Sequence, residues 1–251
     1  MLLAIDIGNT NLTAGIFAGR KLKIQFDLPS KKYKPGQLTR RLKKFPGISA
    51  CIICSVVPGL SRLIRHELKP LTGRHTYILG QNLAVPIKNR YHYPKQVGQD
   101  RLVNAYASTL LYGAPLIVID SGTAITFDVI SSQRAYLGGM IFPGVRICLE
   151  ALKEKTALLP LVTLSRPSGL IGKDTKNSIL SGVVFGVAAL TKELGGKLKR
   201  ILGSKTKIIG TGGNIALIKE YSGIDIRINQ NLTLLGIDLI YKNLKAKNKI
   251  L

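Results

Sequence analysis

The sequence predicts an α/β fold made of two similar halves. The first observation is a repeated pattern, in which "LLAIDIGNTNLTAGIF" near the start resembles "APLIVIDSGTAITFDVI" at residues 114–130. Each segment runs from an apolar strand through an aspartate, a glycine and polar residues into a second apolar strand. The second observation is that each is followed by a third strand, a helix, a further strand and a further helix. A repeated order of this kind indicates an internal duplication.

The elements of the first half follow from its apolar patterns. Apolar runs predict strands, and residues that recur with the helical period predict helices between them. The predicted strands cover residues 2–7, 13–18, 22–28 and 48–57. The predicted helices cover residues 37–44 and 61–71.

The second half repeats this order after a linking helix at residues 101–112. We place the boundary near Gly113, so that residues 1–113 form the N-terminal half and residues 114–251 the C-terminal half. Strands are predicted at residues 114–130, as a pair, and at 134–142 and 206–214. Helices are predicted at residues 145–158, 215–221 and 231–247.

The composition is that of a folded protein with an unusual charge. The chain has 251 residues, of which 45% are hydrophobic, and 37 basic against 13 acidic residues give a formal charge of +24. Nucleic-acid binding is one interpretation, but the basic residues are scattered and no nucleic-acid-binding motif is present, so it is disfavoured. A generally basic proteome, or attraction of small anions, explains the charge equally well.

Other features bound the location and redox chemistry. The apolar run at residues 179–190 is too short to span a bilayer and predicts a buried helix. With no signal peptide recognisable, the expected location is the cytoplasm and no membrane partner is expected. Cys51 and Cys54 lie three apart in one strand and therefore face opposite sides, which indicates buried free thiols and no metal pair.

The first turn, "DIGNTN", is the first candidate site. Gly8 and Asn9 are turn residues, and the backbone N–H groups and hydroxyls around them could hold phosphate oxygens. Asp6 could hold Mg²⁺ directly or through water. An ordinary hairpin turn is the alternative for this stretch alone. The duplication places Asp120 at the equivalent position, and two acidic turns facing a cleft between the halves would suit a nucleotide polyphosphate with its metal.

Several ordered motifs resemble type III pantothenate kinase, within the acetate kinase/sugar kinase/Hsp70/actin superfold. They are "DIGNTN", "GQDR" at residues 98–101, "DSGTAITFDV" at 120–129, "YLGGMIFPG", "IGKDT" at 171–175 and "GTGGN". The resemblance spans almost the whole chain and implies a duplicated actin-like ATPase fold. It implies ATP-dependent phosphorylation of pantothenate to 4′-phosphopantothenate, a homodimer, Mg²⁺, and a monovalent cation such as K⁺ or NH₄⁺.

The resemblance also implies roles for individual residues. Asp100 would be the general base and Asp120 the ligand of the monovalent cation, with Asp6 near Mg²⁺. The implied ATP-binding residues are Asp6, Ile7, Gly8, Asn9, Thr10, Asn11, Leu12, Thr13 and Thr123. The implied substrate-binding residues are Tyr91, Gly98, Gln99, Asp100, Arg101 and Thr175. The glycines of "IIGTGGN", Gly210, Gly212 and Gly213, would let the backbone approach the adenosine.

Local alternatives remain for these residues. Asp100 lies where a helix begins, a common position for an N-cap aspartate, and the helix macrodipole there predicts a carboxylate that stays ionised. Ser121 and Asp174 depart from the usual residues of the family, and Asp174 adds negative charge near the expected substrate site. A relative without catalytic activity, serving as a binding protein, is the competing functional hypothesis. A sugar kinase of the same superfold with a cysteine-rich zinc motif is not indicated.

Overall fold

The computed structural model describes residues 1–19, 21–72 and 75–247, and within them the chain forms two mixed sheets. The strands of the first sheet are β1 (Leu2–Ile7), β2 (Asn11–Ala18), β3 (Lys21–Pro29), β4 (Ala50–Ser55) and β5 (Thr76–Ile78). Those of the second are β6 (Lys88–Asn89), β7 (Leu116–Ser121), β8 (Ala124–Ile130), β9 (Ala135–Pro143), β10 (Lys207–Thr211) and β11 (Arg227–Ile228).

Seven α-helices accompany the sheets in the described part of the chain. They are α1 (Gln37–Leu42), α2 (Pro58–Thr72), α3 (Gln99–Tyr112), α4 (Val145–Lys155), α5 (Thr175–Leu202), α6 (Ile215–Ser222) and α7 (Leu232–Ala246). The predicted helix at residues 145–158 ends earlier than expected, and Leu158, beyond its last turn, is 92% exposed. Helix α5 is the longest and covers the apolar run that the sequence indicated as a buried helix.

The two sheets repeat one topology, which confirms the α/β fold and the duplication. The first has the order β3-β2-β1-β4-β5, and the second contains the same order as β9-β8-β7-β10-β11, with β6 added at the edge of β9. In each, the first strand pairs antiparallel with the next strand and parallel with the strand that follows the helical segment. Both first strands are therefore central, which explains their continuous apolar sequences.

Each unit has its own apolar core. In the first, the odd-numbered residues of β1, Leu3, Ile5 and Ile7, pack with residues of β2, β4, α1 and α2. In the second, Ile117 and Ile119 of β7 pack with residues of β8, α4, α5 and α6. Alternate residues of a strand point to opposite faces, so one face of each central strand enters these clusters.

The units differ from the sequence division at residue 113 in the C-terminal helix and in two short segments, residues 88–90 and 108–113. The first comprises Met1–Ile87, Tyr91–Ala107 and the segment from Asn231 onward, and the second comprises Lys88–Arg90 and Ser108–Gln230. Helix α7 therefore belongs to the first unit, because its apolar side packs against β1, β2 and α3. The sequence assigned this helix to the second half because proximity along the chain was the only guide.

Helix α5 is long and apolar enough to cross a membrane by length and composition, and it is the only such helix among the described residues. Half of its most apolar window is buried within the protein, and it packs against α4 and α6. This environment is that of a core helix, since the core helices of soluble proteins meet the same length and composition criteria.

Gly236 sets the close approach of α7 and α3. A Cβ at Gly236 would lie 2.6 Å from Val103 Cγ1 and 2.9 Å from the Val103 carbonyl oxygen. We expect Gly236→Ala to destabilise the protein by about 1–3 kcal/mol, because overpacking outweighs the better helix propensity of alanine. Gly196→Ala is the matched helical control, since the nearest atom would lie 3.9 Å away. Chemical denaturation of both variants checks this, and equal stability would contradict the packing argument.

Candidate active site

The turn between β1 and β2 is short and largely exposed. The Gly8 N–H donates to the Asn11 carbonyl at 2.9 Å, and Asn9, Thr10 and Asn11 are exposed. Ile7 and Leu12 pair across the hairpin and are fully buried in the core of the first unit. Their side chains are therefore structural, and only their backbone groups remain for a ligand. Between Ile7 and Leu12, the exposed residues Asn9–Asn11 are the part of the predicted phosphate loop that offers side chains.

Asp6 stands at the end of β1 with a partner on each side. It pairs with Thr13 of β2 and with Cys54 of β4, and its carboxylate is half-buried. Thr13 donates from its hydroxyl to Asp27 at 2.7 Å, so that side chain is engaged with β3. The Cys54 thiol is fully buried and hydrogen-bonds to Asp6. Burial chiefly, and then the charges of Asp6 and Asp100, raise the pKa of the Cys54 thiol well above its ordinary value.

Asp100 lies in the first turn of α3, and its carboxylate accepts a hydrogen bond of 2.9 Å from the Arg101 N–H. The helix macrodipole predicted a carboxylate held ionised, but burial acts in the opposite direction and is the larger effect. The pKa of Asp100 is consequently raised above its ordinary value, although the Arg101 N–H and guanidinium lower it. A carboxylate with a raised pKa is a better proton acceptor, as general-base chemistry requires.

Glycines make room for the residues around Asp100. A Cβ at Gly98 would lie 2.4 Å from Asp100 Oδ1, and a Cβ at Gly80 would lie 2.7 Å from Gln99 Cδ. Gln99 therefore packs against the turn after β5. Arg101 is 8% exposed and Tyr91 is half-exposed, whereas the nearby Tyr93 is 68% exposed. In the first unit, the charges of Asp6 and Asp100 both act on the Cys54 thiol. These three side chains therefore form one electrostatic cluster.

The equivalent turn of the second unit is built around Asp120. Asp120 pairs with Thr126 of β8 and with Thr211 of β10, the same arrangement that Asp6 has in its own sheet. The exposed Thr123 accepts through its carbonyl a bond of 3.1 Å from the Gly144 N–H. A Cβ at Gly144 would lie 2.2 Å from that carbonyl oxygen, so this turn requires glycine at the start of α4.

The three glycines of "IIGTGGN" have different functions in the structure. A Cβ at Gly210 would lie 2.5 Å from side-chain atoms of both Ile215 and Ile226, so the space at Gly210 is filled by the protein's own core. Gly212 has a φ of +88° and approaches the backbone of Ser121. Nothing lies within 4 Å of a Cβ at Gly213. Of the three glycines, Gly213 leaves open space in which a ligand could approach the backbone.

Thr175 is the first residue of α5 and is exposed. The helix begins earlier than the expected start near Asn177, because the Asp174 carboxylate caps it by accepting 2.8 Å from the Asn177 N–H. The hydrogen bonds that the exposed Asp174 carboxylate accepts from the backbone and side chain of Asn177 lower its pKa. Thr175 lines a cavity of about 570 Å³ in the second unit, together with Asp174, Ser178 and Gly182. It belongs to neither of the two aspartate turns.

The donor set fits a phosphate-bound divalent metal better than a protein-enclosed one. No cluster of three or more His, Cys, Asp or Glu residues that could hold a metal occurs within residues 1–19, 21–72 and 75–247. Mg²⁺ is typically bound by one or two carboxylates with water and substrate phosphates, and the half-buried Asp6 beside an exposed turn suits this mode. The Asp120 carboxylate lies in a cradle that a Cβ at Gly212 would fill, which suits a single cation.

Comparison with known proteins identifies the family of the chain. The family model described as type III pantothenate kinase matches residues 2–196. The chain belongs to the type III pantothenate kinase family. A type III pantothenate kinase of Moorella thermoacetica is 38% identical over 252 residues, with 96% of this chain and 99% of that protein covered. The family that the sequence motifs indicated is thereby confirmed.

Solved structures agree at the level of fold. A Campylobacter jejuni protein assigned to the Baf family of transcriptional activators has a TM-score of 0.63 at 20% identity, covering 99% of this chain and 100% of that one. The activator of 2-hydroxyisocaproyl-CoA dehydratase from Clostridium difficile has a TM-score of 0.54 at 11% identity, covering 100% and 98%. With the repeated sheet topology, these neighbours confirm the actin-like superfold of this pantothenate kinase family member.

Cys54 is the residue of this site that sequence analysis missed. The sequence correctly indicated a buried thiol, and Cys51 and Cys54 are both free and buried. It contained no sign that Cys54 meets Asp6, because the register between β1 and β4 is not legible from either strand alone. This contact could have been predicted by assuming that the two strands pair in parallel with Asp6 opposite Cys54.

The glycine beside Asp120 provides a test of this turn. A Cβ at Gly212 would lie 2.5 Å from Asp120 Oδ1, and its positive φ is unfavourable for alanine. We expect Gly212→Ala to destabilise the ligand-free protein by more than about 1 kcal/mol. Gly213→Ala, one residue further, should change stability by less than about 0.5 kcal/mol. Denaturant unfolding of both variants without nucleotide decides the matter, and similar losses would refute the assigned geometry.

Proposed function

We propose that this chain phosphorylates pantothenate with ATP to give 4′-phosphopantothenate, the first step of coenzyme A biosynthesis. The observation that carries this proposal is the half-buried carboxylate of Asp100 at the start of α3, in one electrostatic cluster with Asp6. Membership of the type III pantothenate kinase family supports the choice of substrate. A carboxylate that orients a hydroxyl, near a second carboxylate at a phosphate loop, suits phosphoryl transfer.

On the acceptor side, Asp100 would orient the primary hydroxyl of pantothenate and take its proton as the bond to the γ-phosphorus forms and ADP leaves with the bridging oxygen. Arg101 would bind the pantothenate carboxylate, for which a guanidinium is the best-matched side chain. Tyr91, Gly98 and Gln99 would complete this part of the pocket. The close packing of Gly98 on Asp100 supports a pre-organised carboxylate, since any larger residue would displace it.

On the nucleotide side, the turn from Asp6 to Thr13 would bind the ATP phosphates, and Thr123 is a further residue expected to contact ATP. Asp6 would hold Mg²⁺, and Asp120 would hold K⁺ or NH₄⁺. These cations, when bound, neutralise negative charge on the phosphates. The protein's own contribution is to fix both carboxylates at strand ends, where backbone hydrogen bonds restrict their positions.

We further propose that the protein is a homodimer with a cytoplasmic location. Leu170 and Ile171 are 70% and 80% exposed and line a cavity with Gly182 and Phe185 of α5. A second copy is the occupant that suits this apolar surface, because exposed apolar patches of this kind mark protein contacts. In such a dimer, Thr175 would serve the substrate pocket of the neighbouring subunit.

The activity is tested by mass-spectrometric detection of phosphopantothenate from ATP, Mg²⁺ and pantothenate, in K⁺ and separately in Na⁺. We expect product that depends on K⁺, and Asp120→Ala should weaken that dependence because the cation would lose its charged ligand. Unchanged activation of the variant by K⁺ would contradict the role of Asp120. Absence of product with folded wild-type protein in both buffers would instead favour a non-catalytic binding protein.

Asp100→Asn should lower kcat by about 10²–10⁴-fold with little effect on the KM for ATP, because only the proton acceptor is lost. In the wild type, kcat/KM should fall as the pH falls through a pKa above the ordinary value for aspartate, since the base must be unprotonated. Steady-state kinetics across pH measure both effects. Asp225→Asn is the control, because Asp225 is an exposed acid that belongs to none of the proposed site residues. Normal turnover by Asp100→Asn would overturn the assignment.

A further inference from the structure

The β4 strand presents its two cysteines to different environments. Cys51 and Ile53 face the cluster formed by Leu3, Ile5 and Ile7, which is the apolar core of the first unit. Cys54 lies on the opposite face of the strand, because side chains alternate along a β-strand. It pairs in register with Asp6 of the neighbouring parallel strand β1. One cysteine is thus surrounded by hydrocarbon, and the other lies beside a carboxylate.

The thiol of Cys54 is a hydrogen-bond donor in this position. Cys54 is 0% exposed, and its only route to satisfy an S–H group is through buried neighbours such as the Asp6 carboxylate, with which it is hydrogen-bonded. A cysteine thiol is ordinarily protonated at neutral pH, and an ionised carboxylate is an acceptor only, so the S–H group of Cys54 is the donor to Asp6.

We propose that Cys54 is a positioning residue of the nucleotide site, whose S–H group donates to the Asp6 carboxylate and fixes the orientation in which that carboxylate meets the metal–nucleotide complex. This inference rests on the proposed function. The terminal torsion of an aspartate has a broad energy minimum, and a donor on the adjacent strand narrows the range of carboxylate orientations. The soft, neutral sulfur does not compete for Mg²⁺, which prefers oxygen ligands.

The experiment compares Cys54→Ala, Cys54→Ser and Cys51→Ala. Calorimetry measures the binding of ADP with Mg²⁺ and of ADP without metal, and kinetics measure the Mg²⁺ concentration for half-maximal turnover. Cys54→Ala should weaken Mg²⁺-dependent ADP binding and raise that concentration about three- to tenfold, the usual effect of one lost hydrogen bond. Metal-free ADP should bind unchanged. Cys54→Ser should restore wild-type values, because a hydroxyl donates from the same place.

Cys51→Ala is the matched control, since it removes the same sulfur from the same strand on the apolar side. It should lower the unfolding temperature without changing either Mg²⁺-dependent quantity. If Cys54→Ala behaves like Cys51→Ala, or if Cys54→Ser fails to restore Mg²⁺ dependence, the positioning role is refuted. Cys54→Val, which also lacks a donor and fills the site better, replaces Cys54→Ala should the alanine variant not fold.

The outcome is separable from the proposed function. Wild-type protein that binds Mg²⁺–ADP but makes no phosphopantothenate would overturn the assigned substrate, and the binding measurements would still decide the role of Cys54. Wild-type protein that makes phosphopantothenate, with Cys54→Ala indistinguishable from it in both binding and Mg²⁺ requirement, would overturn only the role of Cys54.

Discussion

Backbone hydrogen bonding of the central strand in each sheet is the constraint on which the candidate site depends. β1 is held antiparallel to β2 and parallel to β4, and β7 is held in the same way by β8 and β10. This pairing fixes the register, and the register determines which side chains stand beside Asp6 and Asp120. If the register of the central strand slipped by one residue, each carboxylate would point to the opposite face of the sheet. An apolar side chain would then take its place.

Close packing by glycine sustains the same arrangement at a finer scale. Gly98 allows the Asp100 carboxylate to approach the chain before α3, and Gly212 allows β10 to approach the end of β7. Gly236 allows α7, which packs on the first sheet, to approach α3. At each of these positions the space of a Cβ is already taken by the protein, so these glycines permit the close packing around the site. Gly213 differs, because its space is open.

Burial gives the acidic residues of the first unit their chemistry. Asp100 has a raised pKa because desolvation outweighs the effect of the nearby Arg101. Desolvation is also the main cause of the raised pKa of the Cys54 thiol. A proton acceptor and a proton donor are thus held in one cluster near Asp6. The strongly positive total charge of the protein, +24, leaves these local effects unaltered, since exposed charges are screened by solvent whereas buried groups respond to their immediate neighbours.

The sequence by itself determined the repeated order of strands and helices, the two aspartate turns and the buried thiols, because apolar periodicity and turn residues are local signals. Its ordered motifs also carried the resemblance to the kinase family. Only the tertiary structure decided that Asp6 meets Cys54, that α7 joins the first unit, that the space at Gly210 is filled by Ile215 and Ile226, and that the pKa of Asp100 is raised. Register and burial depend on partners distant along the chain, and for that reason no local pattern encodes them.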